Sequence, residues 1–406
     1  PLKYTFDWGD ETASSQTGYI SSGTTASASH AWSNIGTYQV RVRAENDSSV
    51  LSDWSNPLAV AIDASDPPLT KCLGGNGSDA AQSVQQTSDG GYIVAGCTGS
   101  DNGDVSGYLG SIDAWVVKLD ANHAIQWQRC LGTSTSSDYA YNIQQTADGG
   151  YIFAGSVSYS AYYNEAWVAK LSSSGDMEWQ KYFDSATGAN SIHQTTDGGY
   201  IVAGMIGNSI DQNLWIAKLA PNGAAEWEKI LGGSYFDGAN SVQQTSDGGY
   251  VVAGYANSVD GNVGGNHGGS DLWVVKLNSG GDMQWQKCLG GSDNDGGTSI
   301  QQTTDGGYII AGYTSSNNGD VSLNQGSEDY WVVKIDSEGT IQWQRCLGGS
   351  TADAASSVQQ TSDGGYVVAG YSYSNDGEAS YNHGSLDFLV VKLDPNGTTE
   401  WYKCLG

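Results

Sequence analysis

The sequence predicts an all-β protein: a six-bladed β-propeller of four-stranded blades over residues 66–406, preceded by a shorter, different β module over residues 1–65. Three observations predict it. A long unit recurs six times, each copy holds four strand-like runs, and tryptophans and cations fall at fixed places within it.

The recurring string is DGGY, beginning at Asp89, Asp148, Asp197, Asp247, Asp305 and Asp363, at intervals of 59, 49, 50, 58 and 58 residues. In the fourth copy the runs read NSVQQT, YVVAGY, DLWVVKL and MQWQKCL, separated by glycine-rich or polar turns. Four short strands per copy are the pattern of propeller blades, at about 76–132, 133–184, 185–232, 233–290, 291–348 and 349–406. A β-helix is the competing architecture, but its rungs are much shorter than these repeats.

Eleven of the 14 tryptophans occupy two repeat positions: Trp115, Trp167, Trp215, Trp273 and Trp331 in the third strand, and Trp127, Trp179, Trp227, Trp285, Trp343 and Trp401 in the fourth. An indole at the same place in each copy suits the packing of one twisted sheet on the next. All 13 lysines and arginines beyond residue 66 also fall at two positions, such as Lys118 and Arg129 in the first copy. Cations confined to strands are expected to pair with recurring carboxylates, the aspartates of the DGG turns. Cys72, Cys130, Cys288, Cys346 and Cys404 share one position with Tyr182 and Ile230, which marks a packing site. Cys72 and Cys404 form the exception to that reading, since both ends of the propeller carry a KCLG segment that would meet where the ring closes.

Segments such as CLGGSDNDGGTSIQQTTDGGYIIAGYTSS and DYWVVKIDSEGTIQWQRCLGGS resemble the SBBP-type β-propeller repeats of bacterial and archaeal surface proteins, from about residue 67 to 406. The resemblance implies export to the cell exterior and carries no shared catalytic residue. In the N-terminal module, YTFDWGDE and ASHAWSNIGTYQVRVRAEN resemble the PKD (polycystic kidney disease) domain, an immunoglobulin-like β-sandwich, with Asp7, Trp8, Gly9, Asp10, His30, Trp32, Gly36, Tyr38 and Val40 as marker residues. Alternation in TYQVRVRA independently gives a half-buried strand with Tyr38, Val40, Val42 and Ala44 on one face. The opening strands of such a sandwich have no counterpart before Tyr4, so this is a partial PKD-like module and the parent protein is expected to extend further. Pro67 and Pro68 mark the linker.

The connection between second and third strands is where the copies differ. From the DGGY tyrosine to the third-strand position it spans 23 residues in copies one, four, five and six, but 16 and 15 in copies two and three. The long connections carry the acidic turns Asn102-Gly103-Asp104, Asp260-Gly261-Asn262, Asn318-Gly319-Asp320 and Asp376-Gly377-Glu378, each followed by a carboxylate at Asp113, Asp271, Asp329 or Asp387. Closure of the ring would make these an acidic arc beside a notch at copies two and three, and arc or notch is the expected partner surface. Two readings of the acidic residues stand side by side. Asp104, Asp113, Asp260, Asp271, Asp320, Asp329, Asp376 and Asp387 offer hard oxygens for calcium, while Asn-Gly and Asp-Gly also favour plain hairpin turns. Tyr159, Tyr162 and Tyr163 in copy two are candidates for stacking on sugars. Asn46, Asn76 and Asn396 begin N-x-S/T acceptor patterns for glycosylation.

A net charge of -28 opposes binding to nucleic acid, and no apolar run reaches the length of a membrane helix. His30, His123, His193, His267 and His383 are scattered, and no nucleophile elbow, phosphate loop or metal-binding histidine pair occurs. A non-enzymatic extracellular or cell-surface protein is therefore expected, a surface-layer, matrix, filament or adhesion component contacting surface proteins, copies of itself or glycans. The alternatives are a lectin-like carbohydrate-binding module and the non-catalytic accessory region of a secreted hydrolase.

Overall fold

The computed structural model describes residues 1–10, 15–21, 24–26, 28, 30, 36–62, 71–160, 163–208, 211–380 and 382–406. It divides into two compact units, Pro1–Cys72 and Leu73–Gly406.

The first unit holds one four-stranded sheet, in the spatial order Ser15–Gln16, Leu2–Asp7, Gly36–Asn46, Leu58–Ile62. Along Gly36–Asn46 the side chains of Tyr38, Val40, Val42 and Ala44 are half-buried while Arg41 is exposed, as the alternation predicts. Trp8 is buried between Phe6 and His30, with ring centroids 5.6 and 4.9 Å away, and His30 Nε2 lies 2.6 Å from Asp10. Trp32 lies outside the described residues.

The second unit is a propeller-like array of six four-stranded antiparallel sheets, spanning 79–131, 137–183, 186–231, 237–289, 295–347 and 353–405. Each sheet is made of four consecutive strands, so neither KCLG segment exchanges places with the other. The one helical turn among the described residues is Gly377–Ala379. The third strand, such as Asp271–Leu277, is buried along its whole length because both faces of its sheet are covered, which explains its unbroken apolar run.

The first strands of neighbouring sheets converge, and polar side chains bridge them. Gln85, Gln144, Gln243 and Gln301 each accept through Oε1 from the backbone N–H of Gln145, Gln194, Gln302 and Gln360 respectively, at 2.6 to 2.7 Å. Five apolar clusters join the six sheets in sequence. In each, the fourth-strand tryptophan of one sheet meets the DGGY tyrosine of the next: Trp127 with Tyr151, Trp179 with Tyr200, Trp227 with Tyr250, Trp285 with Tyr308 and Trp343 with Tyr366, at centroid distances of 5.5 to 6.1 Å. The indoles are thus packing residues, as their fixed spacing predicts.

The DGG turn has a separate cause for each glycine. Gly248 sits at φ +80°, and a Cβ on Gly249 would lie 2.3 Å from Leu277 O and 2.6 Å from Lys276 Nζ. That close approach lets the lysine reach the aspartate. Lys118, Lys170, Lys218, Lys276, Lys334 and Lys392 lie 2.8 to 3.1 Å from Asp89, Asp148, Asp197, Asp247, Asp305 and Asp363. The lysine Nζ also donates to the next backbone carbonyl, as Lys276 does to Leu277 at 3.1 Å, so a buried ammonium keeps its partners.

Among the described residues no core cluster joins the sixth sheet to the first. Val84 of the first sheet is 65% exposed, whereas its counterparts Ile143, Ile192, Val242, Ile300 and Val358 are 3 to 6% exposed. Long connections four, five and six therefore run side by side without the first packing against the sixth. All six cysteines are free, Cys72 and Cys404 included.

Candidate functional site

The acidic connections hold the chain between sheets. Asp260 Oδ1 accepts from Ser234 N at 2.8 Å and its Oδ2 from Ser234 Oγ at 2.6 Å, while Asn262 accepts from Gly232 N at 3.3 Å. In the same way Asn102 accepts from Asn76 N, Asn318 from Ser292 N and Asp376 from Ser350 N, at 3.0, 2.8 and 2.7 Å. Asp104, Asp320 and Glu378 accept from Gly74, Gly290 and Gly348 N, at 3.2 to 3.3 Å. The turns of copies four, five and six thereby clasp the segment that links one sheet to the next, and the turn of copy one clasps the segment entering the first sheet. The amides donating there have no ladder partner of their own, and the clasp supplies one.

Asp113, Asp271, Asp329 and Asp387 head their third strands, buried at 0 to 4% exposure. Their Oδ2 atoms accept from the N–H of Leu109, His267, Gln325 and His383, at 2.6 to 3.0 Å. The Oδ1 atoms of Asp113, Asp271 and Asp329 have no hydrogen-bond partner. Burial pushes the carboxyls of Asp271 and Asp329 up to about 6, against the lowering effect of those hydrogen bonds. Among the described residues, no three acidic, histidine or cysteine side chains gather about one point. Burial first, and nearby carboxylates second, also push the Cys288 and Cys346 thiols up to about 12, which keeps them protonated and poorly nucleophilic.

A second recurring carboxylate escaped the sequence reading. Asp79, Asp138, Asp237, Asp295 and Asp353 stand ten residues before each DGG aspartate, with Thr187 taking that place in the third sheet. Asp237 accepts from Gly233 N and Ser258 Oγ, at 2.8 and 2.6 Å, and fixes the start of its sheet. The fixed ten-residue offset was the available signal.

The notch predicted at copies two and three contains a cavity of about 550 Å³. It is lined by Tyr141, Ser156 and Asn164 of the second sheet and by Thr187, Asn190, Met205 and Gln212 of the third, among others. Hydroxyls, amides, backbone at Gly188 and Gly207, and one thioether make up this lining, and no ionisable side chain other than Tyr141 contributes to it among the described residues. Tyr141 Oη and Ser156 Oγ lie 2.8 Å apart, and Asn190 Nδ2 donates to Ala239 O at 2.8 Å, which fixes these two walls. Burial raises the Tyr141 phenol above its ordinary range, so it stays neutral.

The cavity exists because the hairpins here are short. Strands Tyr151–Ser160 and Tyr163–Leu171 extend the second sheet where the first, fourth, fifth and sixth place an acidic connection. Tyr159 and Tyr163 stand at the tip of that hairpin, their rings 5.6 Å apart and nearly half exposed, and Tyr163 Oη donates to Glu165 Oε1 at 2.5 Å. Alternation puts Tyr163 and Glu165 on the opposite face from Asn164, so the structure does not bring these tyrosines into the cavity. Tyr162 lies outside the described residues. Asn76 and Asn396 are exposed, whereas Asn46 is half-buried and its Oδ1 accepts from Ser48 N and Val50 N.

No known family profile matches the chain. It is 29% identical over 115 residues to the regulatory protein FlaEY of Caulobacter vibrioides, a stretch covering 27% of this chain and 12% of that protein. Among solved structures, it is similar to the Pan2 WD40 domain of Neurospora crassa, with 12% identity, 79% of this chain and 78% of that chain covered, and a TM-score of 0.47. It is also similar to Chaetomium thermophilum Sqt1 bound to the N-terminus of ribosomal protein L10, with 11% identity, coverage of 80% and 74%, and a TM-score of 0.42. A quinonprotein alcohol dehydrogenase-like protein of Bacteroides thetaiotaomicron has 9% identity, coverage of 100% and 89%, and a TM-score of 0.43.

Proposed function

We propose that this chain is a non-enzymatic binding scaffold of an exported surface or matrix assembly, and that the notch over its second and third sheets takes a neutral glycan. On this reading the six sheets are blades of an SBBP-type propeller, and the N-terminal unit is a partial PKD-type module. The observation that carries the reading is the chemistry of the cavity wall. Fixed hydroxyl, amide and peptide groups around Tyr141, Asn164, Asn190 and Gln212 offer donors and acceptors without charge, and a polyhydroxylated ligand needs that mixture. Among the described residues no histidine, lysine or carboxylate lines this wall to activate the hydroxyls of Tyr141 and Ser156. The net charge of -28 suits a protein that stays dispersed outside the cell and avoids anionic polymers.

The test is a glycan array probed with the whole chain, repeated with Asn164→Ala and Gln212→Ala. Binding to neutral glycans that both variants weaken supports the reading. An array without signal, or a signal unchanged in both variants, removes it.

A further inference from the structure

The repeat builds the same sheet-to-sheet contact five times, and one half of a sixth contact stands open. On the sixth sheet Phe388 is 69% exposed, whereas its counterparts Ala114, Ala166, Leu214, Leu272 and Tyr330 are fully buried. Trp401 is 45% exposed and Leu405 53% exposed, whereas Phe183, Leu231, Leu289 and Leu347 at the latter position are buried. These side chains form the face that each earlier sheet presents to its successor. A contiguous apolar face of this kind marks a docking surface.

The five formed contacts say what the occupant must offer. Each fourth-strand tryptophan packs against a DGGY tyrosine and also against a glycine in the turn between third and fourth strands of the next sheet. A Cβ on Gly175, Gly223, Gly281 or Gly397 would lie 2.7 to 2.9 Å from the ring of Trp127, Trp179, Trp227 or Trp343, and one on Gly339 would lie 3.1 Å from Trp285. All five glycines have φ of +77° to +82°. The first sheet departs here. His123 occupies the turn at φ +63°, and its ring stacks on Tyr92 with centroids 5.6 Å apart. The tyrosine that Trp401 would need is covered, and a side chain stands where five glycines leave room. The first sheet is thus not shaped to complete a sixth contact of the same kind.

We propose that the open face of the sixth sheet docks a four-stranded sheet of this same repeat type, bearing a DGGY tyrosine and a turn glycine, and that His123 bars the chain's own first sheet from that role. The interface is then continuous with the five already formed, with Trp401 seated against the partner's glycine. It stands apart from the glycan reading of the notch, since none of its residues lines that cavity.

A copy of the chain can be converted into the required partner. The probe carries His123→Gly, which opens its first sheet, and Phe388→Asp, which disables its own sixth sheet and prevents closure on itself. Both positions tolerate the change, one already having a positive φ and the other being exposed. Mixed with the unaltered chain, the probe should give a 1:1 complex with a doubling of mass in sedimentation, and acrylamide quenching of tryptophan emission should fall. Trp401→Phe in the unaltered chain should remove the quenching change. A second probe with Phe388→Asp and His123→Ala should give no complex, because the Cβ alone obstructs. Absence of a complex with the glycine probe overturns the proposal. Equal association with the alanine probe, or dimers of the unaltered chain alone, overturns the role of His123.

Discussion

Lys276 Nζ lies 2.8 Å from Asp247 Oδ2, with the lysine side chain 5% exposed and the aspartate 56% exposed. The pair joins the turn that starts the second strand to the interior of the third strand, and it recurs in all six sheets. Removing one partner should therefore matter asymmetrically. Asp247→Ala strands a buried ammonium and frees the turn, and should cost about 2 kcal/mol, less than a fully buried pair would because water reaches the carboxylate. Lys276→Met leaves an aspartate that water can solvate and should cost about 1 kcal/mol or less. The double variant should resemble Lys276→Met alone. Guanidinium unfolding of the four proteins measures this cycle, and additive losses would contradict the pairing.

The two glycines of the same turn should respond differently. At Gly248 a Cβ meets nothing within 4 Å, so Gly248→Ala suffers only the cost of φ +80°, about 1 kcal/mol. At Gly249 the Cβ collides with Leu277 O at 2.3 Å, and Gly249→Ala should cost about 2–3 kcal/mol. Equal midpoints in thermal melts of the two variants would refute the close-approach argument.

Within the notch, Asn164→Ala should weaken glycan binding about 2- to 10-fold by removing one neutral hydrogen bond, with the melting temperature unchanged. Tyr163→Ala should leave glycan affinity unaltered, since Tyr163 points to the other face of the hairpin. Calorimetric titration with a glycan selected by the array separates the two outcomes.

These predictions also show which parts of the molecule periodicity could reveal. The strand pattern, the Lys–Asp pairing and the notch followed from residues that recur or fail to recur at fixed offsets. The acidic connections were ambiguous because an Asp-Gly or Asn-Gly turn has the same composition whether its oxygens face a cation or the amides of Ser234 and Gly232. The placement of Tyr163 turned on which face of its hairpin carries Asn164 and Ser156 into the cavity, and alternation alone does not say which face that is. Closure was illegible for another reason. Val84 and Phe388 occupy ordinary repeat positions, and their exposure depends on whether a neighbouring sheet exists. His123 was visible as a residue replacing the turn glycine, yet its meaning required the distance between Gly175 and Trp127.

Stability should peak in mildly acid solution, because two sets of carboxyls titrate in opposite senses. Hydrogen bonds from lysine, threonine and glycine outweigh burial and hold Asp247, Asp305 and Asp197 at about 2, below the unfolded value of about 3.9. The unfolded chain binds their protons first, so the stability they supply is present above about pH 4 and is lost as pH falls toward 2. Asp329 is the reverse case, with burial lifting its carboxyl to about 6 despite the hydrogen bond from Gln325. Between pH 4 and 6 the native state holds this proton while the unfolded chain has released it, so stability declines as pH rises through 6. Melting temperatures measured from pH 3 to 8 should therefore pass through a maximum near pH 4. Asp329→Asn should flatten the upper limb and leave the lower one in place, whereas Lys276→Met should soften only the lower limb. A profile that rises steadily from pH 5 to 8, or an upper limb unchanged in Asp329→Asn, would contradict the assignment of that limb to the buried carboxyls.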